Sequence, residues 1–253
     1  MENKNQKTET KYNLQTIKAI VLAAGKSTRL KKITENIPKP MLRIGNEIVL
    51  EHNILWLKKF KVCNIYINLH YLPKAIEDYF GNGKKLGIKI KYSYEKEILG
   101  TAGGTKKIID KYKKDNWKKN FLVIYGDSFY PYGYNLEKFI AFHKKKKSIA
   151  TIGFYHKKSE IWKSGIAVLD KNKRIKNFIE KPDSKEIKSD LVNTGIYIFS
   201  PKIISHLPKD FSDFGKDIFP TLLKKHIPIY GYVFRQDLIP IDTPELYSKA
   251  QKI

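Results

Sequence analysis

The residues best suited to chemistry in this 253-residue chain are small, basic and acidic groups placed where apolar runs end. The first set is Leu22-Ala23-Ala24-Gly25-Lys26-Ser27-Thr28-Arg29-Leu30, directly after the apolar run 17–22. Residues without bulky side chains let the backbone close around a polyphosphate, exposed N–H groups supply neutral donors, and Lys26 and Arg29 add fixed positive charge. Two familiar phosphate loops do not fit. The pattern G-x-x-x-x-G-K-[ST] would need a glycine at Ile20, and G-x-G-x-x-G would need glycines at Ser27 and Leu30. The stretch is a candidate nucleotide-phosphate loop, and a strand-to-helix turn without a ligand would use the same residues. Ten residues after Arg29, Lys39 stands between Pro38 and Pro40. The prolines bar regular helix and should hold the lysine on a stiff extended segment, where it can take a phosphate or face solvent.

Further along, Gly100-Thr101-Ala102-Gly103-Gly104 comes after the third expected strand, 88–94. Glycines this dense permit very close approach of a flat group such as a base, and they also suit helix capping. Asp127 comes immediately after the apolar run 121–125 and Gly126. At the carboxyl edge of a sheet, that position suits a divalent metal or the cap of a turn. In the second half, Glu180-Lys181-Pro182 and Asn193-Thr194-Gly195 bring together a carboxylate, an ammonium and a carboxamide. A polyol carrying a phosphate asks for this set, the acid and amide taking hydroxyls and the lysine the phosphate. Each of these residues alone is also an ordinary loop or edge-strand residue.

The elements that must position these groups alternate. Strands are expected at 17–22, 62–69, 88–94 and 121–125, with helices at 49–60, 74–79 and from about Thr105. Strand-helix-strand alternation predicts an α/β fold, its parallel or mixed sheet covered by helices on both faces and its ligands at the carboxyl ends of the strands. The second half reads as β-rich. It has strands at 148–155 and 191–199, a hairpin joining 166–170 to 174–180, an amphipathic helix at 214–225 interrupted by Pro220, and a strand at 229–234. A last helix is expected at 244–252, with Thr243 as N-cap and Pro244 in its first position. Residues 1–15 are polar, lysine-rich and without period, and are expected to be a flexible extension. One domain is expected over 16–253, with a phosphate-loop part at 16–147 and the β-rich part at 148–253.

Composition narrows the function classes. Hydrophobic residues make up 42% and aromatics 13%, which excludes a largely disordered chain. No apolar run approaches the ~18 residues of a membrane helix, the N-terminus lacks a signal-peptide core, and a single cysteine cannot form an internal disulfide. A cytoplasmic protein without membrane partners is expected. The formal charge of +24 invites a nucleic-acid partner, but 45 of the 49 basic residues are lysine, and arginine occurs only at positions 29, 43, 174 and 235. Arginine is the residue suited to bidentate phosphate and base recognition, so no nucleic-acid partner is expected. The densest run, Lys144 to Lys147, suits the solvated end of a helix.

Taken in order, these motifs make the chain resemble the sugar-phosphate nucleotidyltransferases, or nucleotide-sugar pyrophosphorylases. The matches are Ala24-Gly25-Lys26-Ser27-Thr28-Arg29-Leu30, Pro38-Lys39-Pro40, Leu99-Gly100-Thr101-Ala102-Gly103-Gly104, Gly126-Asp127, Glu180-Lys181-Pro182, Asn193-Thr194-Gly195 and Asp242-Thr243-Pro244-Glu245. The resemblance covers nearly everything from Ile17 to the C-terminal helix. It implies a Rossmann-like, mostly parallel mixed sheet with a sugar-binding β-rich half, and attack by a sugar 1-phosphate on the α-phosphorus of a nucleoside triphosphate. By resemblance Arg29, Lys39 and Lys181 are catalytic. Leu22 to Thr28 and Gly100 to Gly103 bind the nucleotide. Gly165, Glu180, Asn193 and Thr194 bind the sugar phosphate, and Asp127 and Asp242 hold Mg²⁺.

One departure stands out. Typical members carry Asp-Ile-Gly-Thr-Pro-Glu, and here Pro240 takes the aspartate's place while Asp242 takes that of the glycine. Phosphocholine and molybdenum-cofactor cytidylyltransferases carry a similar Ile-Asp-Thr. The closest look is to guanylyltransferases making mannose- or heptose-linked nucleotides, with GTP favoured and a homo-oligomer left open. A cytidylyltransferase acting on a phosphorylated alcohol or amine, a catalytically silent regulatory paralogue and a lysine-rich RNA binder are the alternatives.

Overall fold

The structure, a computed structural model, describes residues 16–26 and 28–252. The extension expected at 1–15, and Ser27 of the first motif, lie outside them. The organising strand is β1 (Lys18–Leu22), whose residues from Ala19 to Leu22 are all buried. From Ala19 on it is apolar, because it lies in the middle of the sheet and is covered on both faces. Parallel neighbours flank it, β4 (Asn64–Leu69) on one side and β6 (Phe121–Tyr125) on the other, and β5 (Lys89–Tyr94) extends the sheet beyond β4. The short hairpin β2 (Arg43–Ile44) and β3 (Glu47–Ile48) stands apart.

On the far side of β6 the sheet turns antiparallel through β10 (Leu191–Phe199), and then continues to β7 (Ala150–His156) and the parallel edge strand β11 (Tyr230–Val233). The hairpin β8 (Gly165–Leu169) and β9 (Ile175–Glu180) joins through β8 and β10. Reversing direction twice makes β7 and β11 parallel to β6, so the carboxyl ends of β1, β4, β5, β6, β7 and β11 all lie on one edge. A mixed sheet of nine strands results, as expected for the α/β class.

Both faces are covered. Helices α1 (Val49–Lys59), α2 (Pro73–Phe80) and α4 (Leu136–Lys146) pack Leu50, Ile54, Ile76 and Phe139 against one face of the sheet. Helices α3 (Gly100–Lys111) and α5 (Phe219–Lys224) cover the other with Ile108, Phe219 and Leu222. The closing helix α6 (Pro244–Ala250) has Thr243 as N-cap, its hydroxyl accepting from the Leu246 N–H, and Pro244 follows it. Among the described residues no helix is long and apolar enough to cross a membrane.

Three local expectations are corrected. Helix α3 starts at Gly100 rather than near Thr105, so the glycine run is its first turn. Gly100 takes φ +71°, and a Cβ there would lie 2.5 Å from the Ser212 carbonyl oxygen; one at Gly104 would lie 2.5 Å from Glu95 Oε1. The glycines let the helix start press against its own chain. Second, 214–225 is not one helix. A π-helical turn, Phe214–Ile218, runs directly into α5, whose first turn contains Pro220. Third, Lys39 is not on an extended segment. Lys39–Met41 is a 3₁₀ turn closed by the Met41 N–H donating to the Pro38 carbonyl at 2.8 Å.

Candidate active site

The carboxyl ends of β1, β4, β5 and β6 open onto a cleft of about 310 Å³. Its lining includes Leu22, Ala23, Ala24 and Gly25 after β1, Asn68 from β4, Glu95 after β5, Tyr125 and Asp127 after β6, and Gly100 and Thr101 at the start of α3. This is the edge at which a parallel sheet collects ligands. Gly25 is exposed, and a Cβ built on it meets nothing within 4 Å. No neighbour among the described residues requires a glycine there, and Gly25 lines the cleft. Lys26 is exposed beside it. Thr28 begins a 3₁₀ turn, Thr28–Thr34, that carries Arg29 outward.

Two buried side chains that the motifs did not reveal tie the loops together. Asn68 accepts from the Ala23 N–H at 2.7 Å and donates to Glu95 Oε1 at 2.7 Å, and Glu95 Oε2 accepts from the Leu99 N–H at 3.0 Å. Glu95 is fully buried. One amide and one carboxylate thus set the distance between the first motif and the glycine-rich turn. Their signal in sequence was faint: a lone polar residue near the end of β4, and a carboxylate directly after β5, a position analogous to that of Asp127 after β6.

A segment from the second half closes the other wall. Asp213 Oδ1 accepts from both the N–H and the hydroxyl of Thr101 at 3.1 Å, and the Phe214 N–H donates back to the Thr101 hydroxyl at 2.8 Å. Phe211 lines the cleft while remaining 62% exposed. Behind Thr101, Ala102 and Gly103 are buried, their N–H groups donating to the Ser212 carbonyl at 2.8 and 3.2 Å. Of the glycine-rich motif, Gly100 and Thr101 face the cleft, while Ala102 and Gly103 support them from behind.

The charged centre is built from three distant segments. Lys39, whose side chain is only 6% exposed, donates to Asp127 Oδ2 at 2.9 Å and to Asp242 Oδ1 at 2.6 Å. Arg29 Nη2 lies 3.3 Å from the same Asp242 oxygen. Asp242 therefore reaches the point that Asp127 faces, despite its shifted register. Burial pulls the Lys39 ammonium down, but Asp127 and then Asp242 outweigh it and hold the pKa above the ordinary lysine value. Burial likewise pushes Asp242 up, and Lys39, Arg29 and Lys157 more than reverse it, leaving the carboxyl below its usual range. Lys157, directly after β7, is a further cation near this centre that the motifs did not single out. The donors here are hard carboxylate oxygens, which suit Mg²⁺, a cation often bound through one or two carboxylates with substrate phosphates completing its shell. Among the described residues no cluster of three or more His, Cys, Asp or Glu is placed to hold a metal.

The second-half residues gather beside Tyr125. The hairpin register sets Gly165 opposite Glu180. A Cβ on Gly165 would lie 2.5 Å from Glu180 Oε2, and one on Gly215 would press on the same oxygen. Burial pushes the Glu180 carboxyl above its usual value, with Lys181 opposing and Asp213 adding to the rise. Lys181 is exposed and sits at φ +51°, a left-handed conformation that costs a non-glycine residue about 1 kcal/mol. Asn193 donates to the Tyr197 hydroxyl at 2.8 Å, which in turn donates to that of Tyr125 at 3.0 Å. Thr194 is the correction in this group. Its hydroxyl donates to the Gly153 carbonyl at 2.8 Å and accepts from the Ile196 N–H at 3.2 Å, and the residue is 1% exposed. Neighbouring residues of a strand face opposite ways, so with Asn193 turned to the tyrosines, Thr194 turns into the core.

Known proteins of one family are similar to this chain in sequence and fold. A family model described as nucleotidyl transferase matches residues 18–238. A UTP–glucose-1-phosphate uridylyltransferase of Synechocystis sp. is 37% identical over 85% of this chain and 57% of its own. A mannose-1-phosphate guanyltransferase of Saccharomyces cerevisiae is 32% identical over 83% and 57%. The chain thus spans a little over half the length of these curated relatives. Among solved structures, HddC from Yersinia pseudotuberculosis complexed with GMP-PN superimposes with a TM-score of 0.75 at 28% identity, over 93% of this chain and 98% of that one. A Bacillus anthracis structure in complex with a sucrose, at 21% identity, shares the fold with a TM-score of 0.81 over 93% and 94%. Since the family model covers most of the chain, the chain belongs to the nucleotidyl transferase family, with sugar-phosphate nucleotidyltransferases as its relatives.

Proposed function

We propose that the protein joins a nucleoside triphosphate to a sugar 1-phosphate, giving an NDP-sugar and pyrophosphate. The observation that carries this reading is the convergence of Lys39, Asp127, Asp242 and Arg29 on one point beside a cleft with an open Gly25 in its wall. The first-motif backbone, Arg29 and Lys39 take the triphosphate, while Gly100, Thr101 and Phe211 border the base. Glu180 and Asn193 take sugar hydroxyls close to Gly165, and Lys181 takes the sugar phosphate. Residues 16–253 act as one domain, with the nucleotide side at 16–147 and the sugar side at 148–253.

The attacking oxygen belongs to a phosphate already ionised near neutrality, so no general base is needed, and among the described residues no histidine lines the cleft. That oxygen bonds to the α-phosphorus as the bond from the α-phosphorus to the pyrophosphate oxygen breaks, its electron pair leaving with pyrophosphate. Arg29, Lys39 and Lys181 align the two anions against their repulsion and neutralise the charge that develops. Asp127 and Asp242 would hold Mg²⁺, which when bound stabilises the leaving pyrophosphate.

GTP is the expected nucleotide, favoured by the GMP-PN complex of a relative matched over nearly its whole length, and UTP is the rival from the cyanobacterial relative. Pyrophosphate release measured across four triphosphates and a panel of hexose and heptose 1-phosphates tests the reading, with Mg²⁺ present and then chelated. Turnover with CTP and a phosphorylated alcohol would move the protein to a different substrate class. Silence with every pair, alongside salt-sensitive RNA binding, would end the enzyme reading.

A further inference from the structure

We propose that Lys39 is a built-in counter-ion that closes the Asp127–Asp242 pair to a bare divalent cation and releases it only when a polyphosphate arrives to receive the ammonium. The proposal rests on the reading of Asp127 and Asp242 as the metal-holding residues. The Lys39 ammonium lies 2.9 Å from one carboxylate and 2.6 Å from the other, while the side chain is 6% exposed. Its backbone is fixed by the 3₁₀ turn, in which the Met41 N–H donates to the Pro38 carbonyl and the Leu42 N–H to that of Lys39. The ammonium thus occupies the point toward which both carboxylates are directed.

A divalent cation taking that point without a nucleotide would meet two costs together. It would leave a buried ammonium with no anion beside it, among the least favourable arrangements in a protein interior. It would also find only two protein carboxylates, since no larger cluster of metal-binding side chains exists among the described residues. A triphosphate removes both obstacles. Its oxygens fill the remaining coordination positions, as substrate phosphates do for Mg²⁺, and they accept the Lys39 donors that the carboxylates give up. Arg29 adds to the effect only weakly, because its guanidinium is 57% exposed and can leave Asp242 for water. Cation and polyphosphate are therefore positively coupled through Lys39, and each raises the affinity of the protein for the other by the same factor.

Manganese is a suitable probe, with protein-bound Mn²⁺ read by electron paramagnetic resonance and equilibrium dialysis. Wild type should bind bare Mn²⁺ weakly and retain much more when tripolyphosphate is added. Lys39→Met keeps the side-chain length without its charge, and should bind bare Mn²⁺ more than about tenfold more tightly than wild type. Tripolyphosphate should then raise the Mn²⁺ retained by that variant far less. Unchanged or weaker Mn²⁺ binding by a Lys39→Met protein with a native circular dichroism spectrum would overturn the proposal. If that variant does not fold, wild type decides: tripolyphosphate that leaves retained Mn²⁺ unchanged overturns the proposal, and a clear increase supports it. The activity is separable from this test. Wild-type pyrophosphate release with no gain of Mn²⁺ affinity in Lys39→Met removes the counter-ion role and leaves the activity. The gain without any turnover does the reverse.

Discussion

At the proposed phosphate end of the site, Lys39, Asp127, Asp242 and Arg29 are paired with one another, whereas at the proposed sugar end Glu180 carries a half-buried carboxylate that no described residue hydrogen-bonds. The difference follows from the ligands each end is read to hold. Charges gathered for a triphosphate and its cation would repel one another or sit desolvated if left alone, so the chain supplies both signs and lets them neutralise each other until the ligand arrives. Sugar hydroxyls are neutral and need a strong acceptor in a fixed place. Glycines at 165 and 215 make a slot in which the Glu180 carboxylate fits, and burial strips it of part of its water, as its raised pKa reflects.

The first way to break this comparison is at the phosphate end, where the largest effect is expected. Asp242→Ala should lower kcat by at least about 10²-fold, the size of loss found when one preorganised electrostatic group is removed from an active site. Pyrophosphate release and circular dichroism together check it. Because Asp242 neutralises Lys39 and Arg29 as well, a milder Asp242→Asn keeps the shape and separates lost charge from lost packing. Unchanged turnover in a folded Asp242→Ala would remove Asp242 from the site and leave Asp127 as the only carboxylate there.

The sugar end should respond differently. Glu180→Gln should raise KM for the sugar 1-phosphate and reduce kcat/KM by about 10- to 100-fold, the loss expected when a hydrogen bond to a charged group is weakened, with KM for the triphosphate nearly unchanged. Equal losses for both substrates would mean that Glu180 serves the whole cleft. A smaller loss in the same direction, about tenfold or less, should come from Gly215→Ala, because its new Cβ would push on Glu180 Oε2. Adding Gly215→Ala to Glu180→Gln should then cost little more, since both act on one oxygen.

Much of this arrangement was legible in the sequence because its central strands are mostly apolar. The runs at β1, β4 and β6 could be placed within a residue or two, and Asp127 followed from the end of β6. What escaped was set by contacts between distant segments. The glycines at 100, 103 and 104 read as a loop because glycine is a poor helix former, yet the tight approach of Ser212, Asp210 and Glu95 leaves no room for a side chain at those three positions of α3. Asn68 and Glu95 were invisible as a pair because their hydrogen bond joins two strands whose neighbour relation no short motif records. Lys39 was expected on display, and it is buried because the two aspartates come to it from more than 80 residues away. Thr194 shares a motif with Asn193, but strand alternation gives the two residues different faces.

The smallest effect on turnover is expected at His143, at the opposite end of β7 from the cleft, and it sharpens the comparison by showing what a buried polar group does when no ligand is involved. His143 is 1% exposed, with Nδ1 2.9 Å from the Thr151 hydroxyl oxygen. Burial, with Lys144 adding to it, pulls its pKa down to about 4. The unfolded chain takes up the proton near pH 6.5, before the folded protein does, so acid favours unfolding. Stability from this residue is complete above about pH 6.5 and declines as the pH falls toward 4, by up to about 3 kcal/mol. Urea melts between pH 4.5 and 7.5 should show that slope. His143→Gln, which cannot take up a proton, should flatten it while leaving pyrophosphate release at pH 7.5 as in wild type. A variant that keeps the full slope would assign it to other groups, and one that loses activity at pH 7.5 would couple this distant end of the sheet to the cleft.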